Sequence, residues 1–210
     1  MNKIIDDLNW RYATKAFDSS KNIEQNDLDT ILEAFRLSAS SFGLQPWKLF
    51  VVQNKEKKQA LLEHSWFQKQ VVDAPYHLVF ARNDVDNETL VQEYIDDIST
   101  TRNVTTDSLE EYKQMMWGFL SRMSVEEKNI WANKQIYIAL GSLMVVLAEM
   151  KIDSCAMEGI NPAKYDEILG LTEKWFSSVV ALPIGYRSTD DKYADLAKVR
   201  FSVEKVTEII

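Results

Sequence analysis

The sequence predicts an α+β or mixed α/β fold, a sheet with helices packed on it, on three observations. A helical pattern comes first, and short apolar runs of strand character follow it, separated by intervals long enough for crossovers. Those runs are punctuated by Pro and Gly. One long segment is apolar on nearly every face, the mark of a helix buried at the centre of a domain or in a subunit interface. Strand order stays open at this level.

The elements follow in order. Asn26 to Ser38 is a helix, because Leu28, Ile31, Leu32 and Phe35 fall on one stripe. It ends in SASSFGLQPW, a loop of small residues with a Gly and a Pro. Leu49 to Val52 is a short strand, and Lys55 to His64 a helix. APYHLVFAR is the next strand, entered at Pro75. Asp84 to Asn129 is charge-rich and reads as two helices with a loop around Thr100 to Asp107. Trp131 to Met150 is the long apolar helix. IDSCAMEG is a strand ending at Gly159, Asn161-Pro162 opens a short helix, and Ser177 to Gly185 is a further strand. A polar tail begins near Ser188.

Composition narrows the function. With 210 residues, 46% of them hydrophobic, the chain can bury a full core, and one domain is expected. A formal net charge of −8 argues against a general nucleic-acid or anionic-membrane binder, since both need a positive surface field. The run from Tyr137 to Met150 carries Gly141, Ser142 and Glu149, and is too short and polar to span a bilayer. A single cysteine, Cys155, forbids an internal disulfide, and the start of the chain lacks the order of a signal peptide; a cytoplasmic protein is expected. Two histidines, His64 and His77, without ligand spacing leave a metal site unsupported.

Four cations draw attention in so acidic a chain: Arg11 and Lys15 in RYATKAF, and Lys198 and Arg200 near the other end. Arg offers a planar fork of donors suited to phosphate, and Lys a mobile point charge. In an extended chain each pair projects to one side. By spacing alone, surface charges are the default reading. Ser40, Ser41 and Gly43 can present hydroxyl and backbone donors, and Gly159 after a strand permits close approach of a flat ligand, although each also suits an ordinary turn. Trp66, Phe67, Trp117, Phe119 and Trp131 can wall a pocket or fill a core. Cys155 reads as a small buried hydrophobe, and neither histidine has a partner for a triad.

Taken together, RYATKAFD, SASSFGLQPWKLFVV, DAPYHLVFA, NKQIYIALGSLM, CAMEGIN, LPIGYRS and AKVRF resemble the FMN-dependent nitroreductase family, nearest its oxygen-insensitive NAD(P)H nitroreductase and dihydropteridine reductase branch. The resemblance runs in order over nearly the whole chain. It implies an α+β fold with a central, mostly antiparallel sheet, and an intertwined homodimer with an FMN site at each of two interfaces. It implies one domain over residues 1–210, whose tail from about 188 extends over the partner.

Residue by residue, the resemblance gives Arg11 the FMN phosphate, with Tyr12 and Ala13 beside it. It sets Lys15 by the pyrimidine edge of the flavin. Lys198 and Arg200 close on the phosphate. Ser40, Ser41 and Gly43 line the flavin from the partner, and Gln135 matches a helix glutamine. Glu158 and Gly159 turn backbone N–H toward the central reactive nitrogen, and Trp117 covers the substrate side. Ala13 lacks the family's hydroxyl, Gly43 replaces an Asn, and Phe67 and Gln70 fall near the family's Asn and Lys, which removes one positive charge. The expected activity is ping-pong transfer of reducing equivalents from NADH or NADPH to a small acceptor such as a nitroaromatic or quinone, with no catalytic acid or base from the protein. The competing expectations are a flavin-sequestering regulatory protein, a same-fold enzyme with different flavin chemistry, and an α-rich interaction protein without a ligand.

Overall fold

The structure is a computed structural model and describes residues 2–210. In chain order the elements are α1 (Lys3–Trp10), α2 (Gln25–Arg36), β1 (Trp47–Val52), α3 (Lys55–Leu62), α4 (Gln70–Asp73), β2 (Tyr76–Asn83), α5 (Asn87–Arg102), α6 (Glu110–Leu120), α7 (Val125–Glu149), β3 (Asp153–Ser154), α8 (Pro162–Leu169), β4 (Phe176–Gly185) and α9 (Val203–Val206). The strands form one sheet in the order β1-β2-β4-β3, and all three pairings are antiparallel. This is the α+β alternative of the two that the sequence left open.

Alternation along β2 explains the layering. Tyr76, Leu78 and Phe80 face one side and join Leu28, Ile31 and Phe35 of α2 with Ile136, Leu140 and Leu143 of α7. Val79 and Ala81 face the other side, with Leu61 of α3, Val71 of α4 and Tyr165 and Leu169 of α8. A strand covered on both faces reads as an unbroken apolar run, which is why APYHLVFAR was legible. A smaller cluster, with Leu90, Ile95, Met116, Leu120 and Trp131, packs α5 and α6 against the start of α7.

Several expectations change. IDSCAMEG is not a full strand: β3 holds two residues, and Met157 touches β4 through one isolated bridge to Ala181. The chain leaves the sheet there to build the turn at Gly159. The long helix begins at Val125, six residues before Trp131, because Ser124 and Glu127 form a reciprocal capping box. Nor is it buried all round. Trp131, Gln135, Ile136, Ala139, Leu143 and Leu147 face the core, but Tyr137, Ile138 and Val145 stay 39%, 46% and 41% exposed. By length and composition alone α7 could cross a membrane, yet its inner stripe is the core of this fold. Helix α1, capped by the Asn2 side chain, was not expected from the sequence.

Candidate functional site

RYATKAF is extended and runs beside β3. Thr14 N–H donates to the Ser154 carbonyl at 3.3 Å, Ala13 pairs in parallel with Ser154, and Phe17 pairs with Arg187. Alternation turns Thr14 fully inward, where its hydroxyl donates to Asp153 Oδ1 at 3.3 Å. Arg11, Ala13 and Lys15 therefore share the opposite, more open side.

The two ends of the chain meet here. Arg11 caps the C-terminus of α1. The Lys198 ammonium donates to the Leu8 carbonyl at 2.6 Å and to the Arg11 carbonyl, so it satisfies acceptors left free at that helix end. The Arg11 guanidinium is held below its ordinary pKa by burial and by the adjacent Arg200. Lys198 is lowered by burial, then by Arg11 and Arg200. Among the described residues, none of the three forms a salt bridge, and Arg11 Nε is buried without a hydrogen-bond partner. Three neighbouring cations without a counter-charge are an arrangement that could hold an anion.

Lys15 shares a side of the segment with Arg11 but has a different partner. Its Nζ lies 3.4 Å from Cys155 Sγ, and Gln70 Nε2 lies 3.8 Å from the same sulfur and donates to Gln68 Oε1 at 3.1 Å. Cys155 is buried, as a small hydrophobe should be, but its sulfur also anchors these two donors. Gln68 in turn reaches the Gly159 carbonyl at 3.5 Å.

The turn after Met157 completes the arrangement. Met157 exchanges both main-chain hydrogen bonds with Ala181, and Ile160 N–H donates back to the Glu158 carbonyl at 2.8 Å. Between them, the N–H groups of Glu158 and Gly159 have no acceptor among the described residues. A Cβ on Gly159 would stand 2.8 Å from the Trp66 ring, so a side chain there would have to displace that ring. Trp66 and Phe67 are both largely exposed and both hold left-handed φ, +53° and +55°, a conformation uncommon for bulky residues.

Ser40, Ser41 and Gly43 make no hydrogen bond to these groups among the described residues. Their loop is tied to α7: Ser41 N–H donates to Gln135 Oε1 at 2.8 Å, while Gln135 Nε2 donates to the Trp131 carbonyl at 3.1 Å. Both ends of the buried Gln135 amide are thus engaged inside the chain. Gly43 has φ +82° and lies against the Tyr94 hydroxyl, leaving no room for a side chain. Trp117 stands exposed on α6, with no hydrogen bond to the cation group, Glu158 or Gly159 among the described residues. Clefts of about 510 and 780 Å³ lie elsewhere, one beside Gly43 and Tyr94 and one lined by Arg82, Lys128 and Trp175.

Two organising residues carried no recognisable sequence signal. Asp191, 5% exposed, accepts from the Tyr12 hydroxyl at 2.8 Å and from the Lys15 and Ala16 N–H groups at 2.7 and 3.1 Å. Tyr137 donates to Glu158 Oε1 at 2.5 Å.

This sequence and this fold are similar to those of known proteins. The sequence profile of the nitroreductase family matches residues 8–186. A Staphylococcus epidermidis protein, provisionally named an NAD(P)H nitroreductase, is 38% identical over 200 residues, covering 90% of each chain. The crystal structure of the provisionally named nitroreductase ydfN of Bacillus subtilis superposes with a TM-score of 0.87 at 20% identity, covering 99% of both chains. A similarly named protein of Exiguobacterium sibiricum, solved in complex with FMN, gives a TM-score of 0.83 at 18% identity, covering 99% of this chain and 97% of that one.

Proposed function

The chain belongs to the nitroreductase family, and from that premise we propose that it is an FMN-dependent NAD(P)H oxidoreductase acting on small acceptors such as nitroaromatics or quinones. The observation that carries the reading is the meeting of Arg11, Lys198 and Arg200, without a carboxylate among the described residues, on the same surface as the unpaired N–H groups of Glu158 and Gly159.

The residues fit a phosphorylated flavin. The orphaned Arg11 Nε and the cations around it suit a phosphate, which accepts charge-assisted bonds best from an Arg fork. Lys198 spends two of its three donors on carbonyls and keeps one. Gly159 permits close approach of a flat group, as the Trp66 ring packed against it shows, and its N–H and that of Glu158 are free to donate. Such a flavin supplies the hydride chemistry that passes reducing equivalents from NAD(P)H to an acceptor. Lys15 places a positive charge where a reduced ring gathers negative charge, a preorganised stabilisation. Gln70 is buried and directs its amide at Gln68 Oε1 and Cys155 Sγ, so it orders the surroundings of Lys15 and does not replace the missing cation.

A homodimer completes the site in this reading. The exposed Tyr137, Ile138 and Val145 of α7 offer an apolar face, and Phe201, Val203, Val206, Ile209 and Ile210 leave the tail without a core of its own. The tail from about 188 would cross the partner, the partner's loop would supply Ser40, Ser41 and Gly43, and Trp117 and Phe67 would border the acceptor. The whole chain, residues 1–210, serves as one flavin-binding domain.

The test is the absorbance spectrum of the purified protein, followed by anaerobic NAD(P)H. A yellow protein that bleaches supports the proposal. A colourless protein that takes up no FMN refutes it, and a yellow protein that never bleaches points to flavin storage. Lys15→Ala and Arg200→Ala are expected to retain less FMN; if both purify as yellow as wild type, their assignments fail.

A further inference from the structure

Tyr137 lies on the outer face of α7, two residues beyond Gln135, and the flavin reading uses its ring as part of the dimer face but gives its hydroxyl no role. Its hydroxyl donates to Glu158 Oε1 at 2.5 Å. Burial, then that hydrogen bond, push the phenol up to about 12, so the hydroxyl remains a donor at neutral pH. The Glu158 side chain has no other hydrogen-bond or ion-pair partner among the described residues. Around it the main chain is fixed by Met157 on Ala181 and by Asn161 N–H on the His64 carbonyl at 2.8 Å. The Glu158 N–H shares its peptide plane with the Met157 carbonyl, which accepts from Ala181 of β4, and the Gly159 N–H shares its plane with the Glu158 carbonyl, which accepts from Ile160. These bonds orient both donors within the turn and against β4, but among the described residues none of them ties the turn to α7. The Tyr137 hydroxyl ties them to the side of a 25-residue helix. That helix also fastens the Ser41 loop through Gln135, so neighbouring positions of one rigid rod hold both loops.

We propose that Tyr137 is a positioning residue, which by anchoring Glu158 to α7 aims the N–H groups of Glu158 and Gly159 at the ring of the bound flavin. The inference rests on the flavin reading above. Its physical basis is directional: an N–H···acceptor bond weakens steeply once its angle closes, so a turn that tilts relative to α7 loses aim at a ring seated between them. Supporting contacts of this kind set how well a site is preorganised.

The experiment uses the full chain loaded with FMN labelled with ¹⁵N at its central ring nitrogen. The ¹⁵N resonance and the rate of flavin loss are measured for wild type, Tyr137→Phe, Glu158→Ala, Glu158→Gln and the double variant Tyr137→Phe/Glu158→Ala. Tyr137→Phe and Glu158→Ala are each expected to move the resonance downfield, toward that of a nitrogen without a donor, by the same amount. Each is also expected to release flavin about tenfold faster, the size of one lost hydrogen bond. The double variant goes no further, because both changes remove one contact. Glu158→Gln keeps an acceptor for the phenol and stays with wild type. A wild type that takes up no FMN fails the flavin reading and this inference with it. A yellow wild type whose Tyr137→Phe and Glu158→Ala variants keep the resonance overturns the inference alone, as do single effects that add. Should one single variant fail to accumulate, the other reports the same contact.

Discussion

The Asp191 carboxylate accepts the Lys15 backbone N–H at 2.7 Å, and through it a residue near the C-terminus fixes the segment that carries Arg11 and Lys15. The same oxygen takes the Tyr12 hydroxyl and the Ala16 N–H, and its partner oxygen takes Tyr193 N–H at 3.0 Å. Burial alone would raise this carboxyl. The N–H groups of Lys15, Tyr193 and Ala16 and the Tyr12 hydroxyl outweigh it and hold Asp191 below the ordinary carboxylate range.

Asp191→Asn is therefore expected to destabilise the protein by about 2 kcal/mol, the range for a buried charged acceptor that loses part of its partners. Urea unfolding at neutral pH measures this. The folded pKa is depressed, so the stabilisation exists above the unfolded carboxylate pKa and is lost as pH falls through the folded value; the variant should show a shallower acid limb. An unchanged midpoint would remove Asp191 from its organising role.

The cation group gives a second expectation. Without an anion, Arg11, Lys198 and Arg200 repel one another in partly buried surroundings. Inorganic phosphate should raise the Tm of the flavin-free protein relative to chloride at equal ionic strength, by linkage that reaches about 2.7 kcal/mol at a hundredfold excess over Kd. Arg11→Ala should lose most of this response. Equal phosphate shifts in wild type and variant would show that the three cations do not act together.

A third expectation concerns His77, which is fully buried on β2 facing α8. Its Nε2 lies 3.0 Å from the Tyr165 hydroxyl, which lies 2.6 Å from Ser65 Oγ, and its Nδ1 is unpartnered. Burial, then the nearby Lys58 ammonium, lower its pKa to about 3. The unfolded chain takes up the proton first, so stability falls with pH below the ordinary histidine value and levels off near the folded one. Between about pH 7.5 and about pH 5 the loss from this group is about 2 kcal/mol. His77→Gln should be less stable at neutral pH and lose that slope; an equal slope in both proteins assigns it elsewhere.

The open face of α7 yields a fourth. Ile138→Arg places a charge where the dimer reading needs an apolar contact. Light scattering is expected to show a dimer for wild type, a monomer for the variant, and weaker FMN retention in the monomer. A wild type that runs as a monomer with full FMN retention would contradict the shared site.

The layers of the fold were legible where a residue's neighbours lie within its own helix or strand. Leu28, Ile31 and Phe35 announce α2 because the 3.6 period reports a buried stripe, and β2 and β4 read as apolar runs because both faces are covered. Helix α1 escaped because eight residues with exposed Ile4 and Ile5 give a faint stripe. IDSCAMEG has strand composition, but its regular ladder with β4 ends at Ser154 and returns only as the single Met157–Ala181 bridge, and no local property of Cys155 or Ala156 marks that break.

The candidate site divides in the same way. The sequence by itself determined which side chains exist to hold an anion in an acidic chain, and that Arg11, Ala13 and Lys15 share a side when extended. Only the tertiary structure decided that Lys198 docks on the end of α1, that Asp191 pins Lys15, that both ends of Gln135 are engaged and that Tyr137 reaches Glu158. The reason is physical. Periodicity encodes burial between near neighbours, whereas all of these hydrogen bonds except the one from Gln135 to the Trp131 carbonyl join residues 21 to 190 positions apart, and their partners are chosen by the packing of the sheet and helices between them.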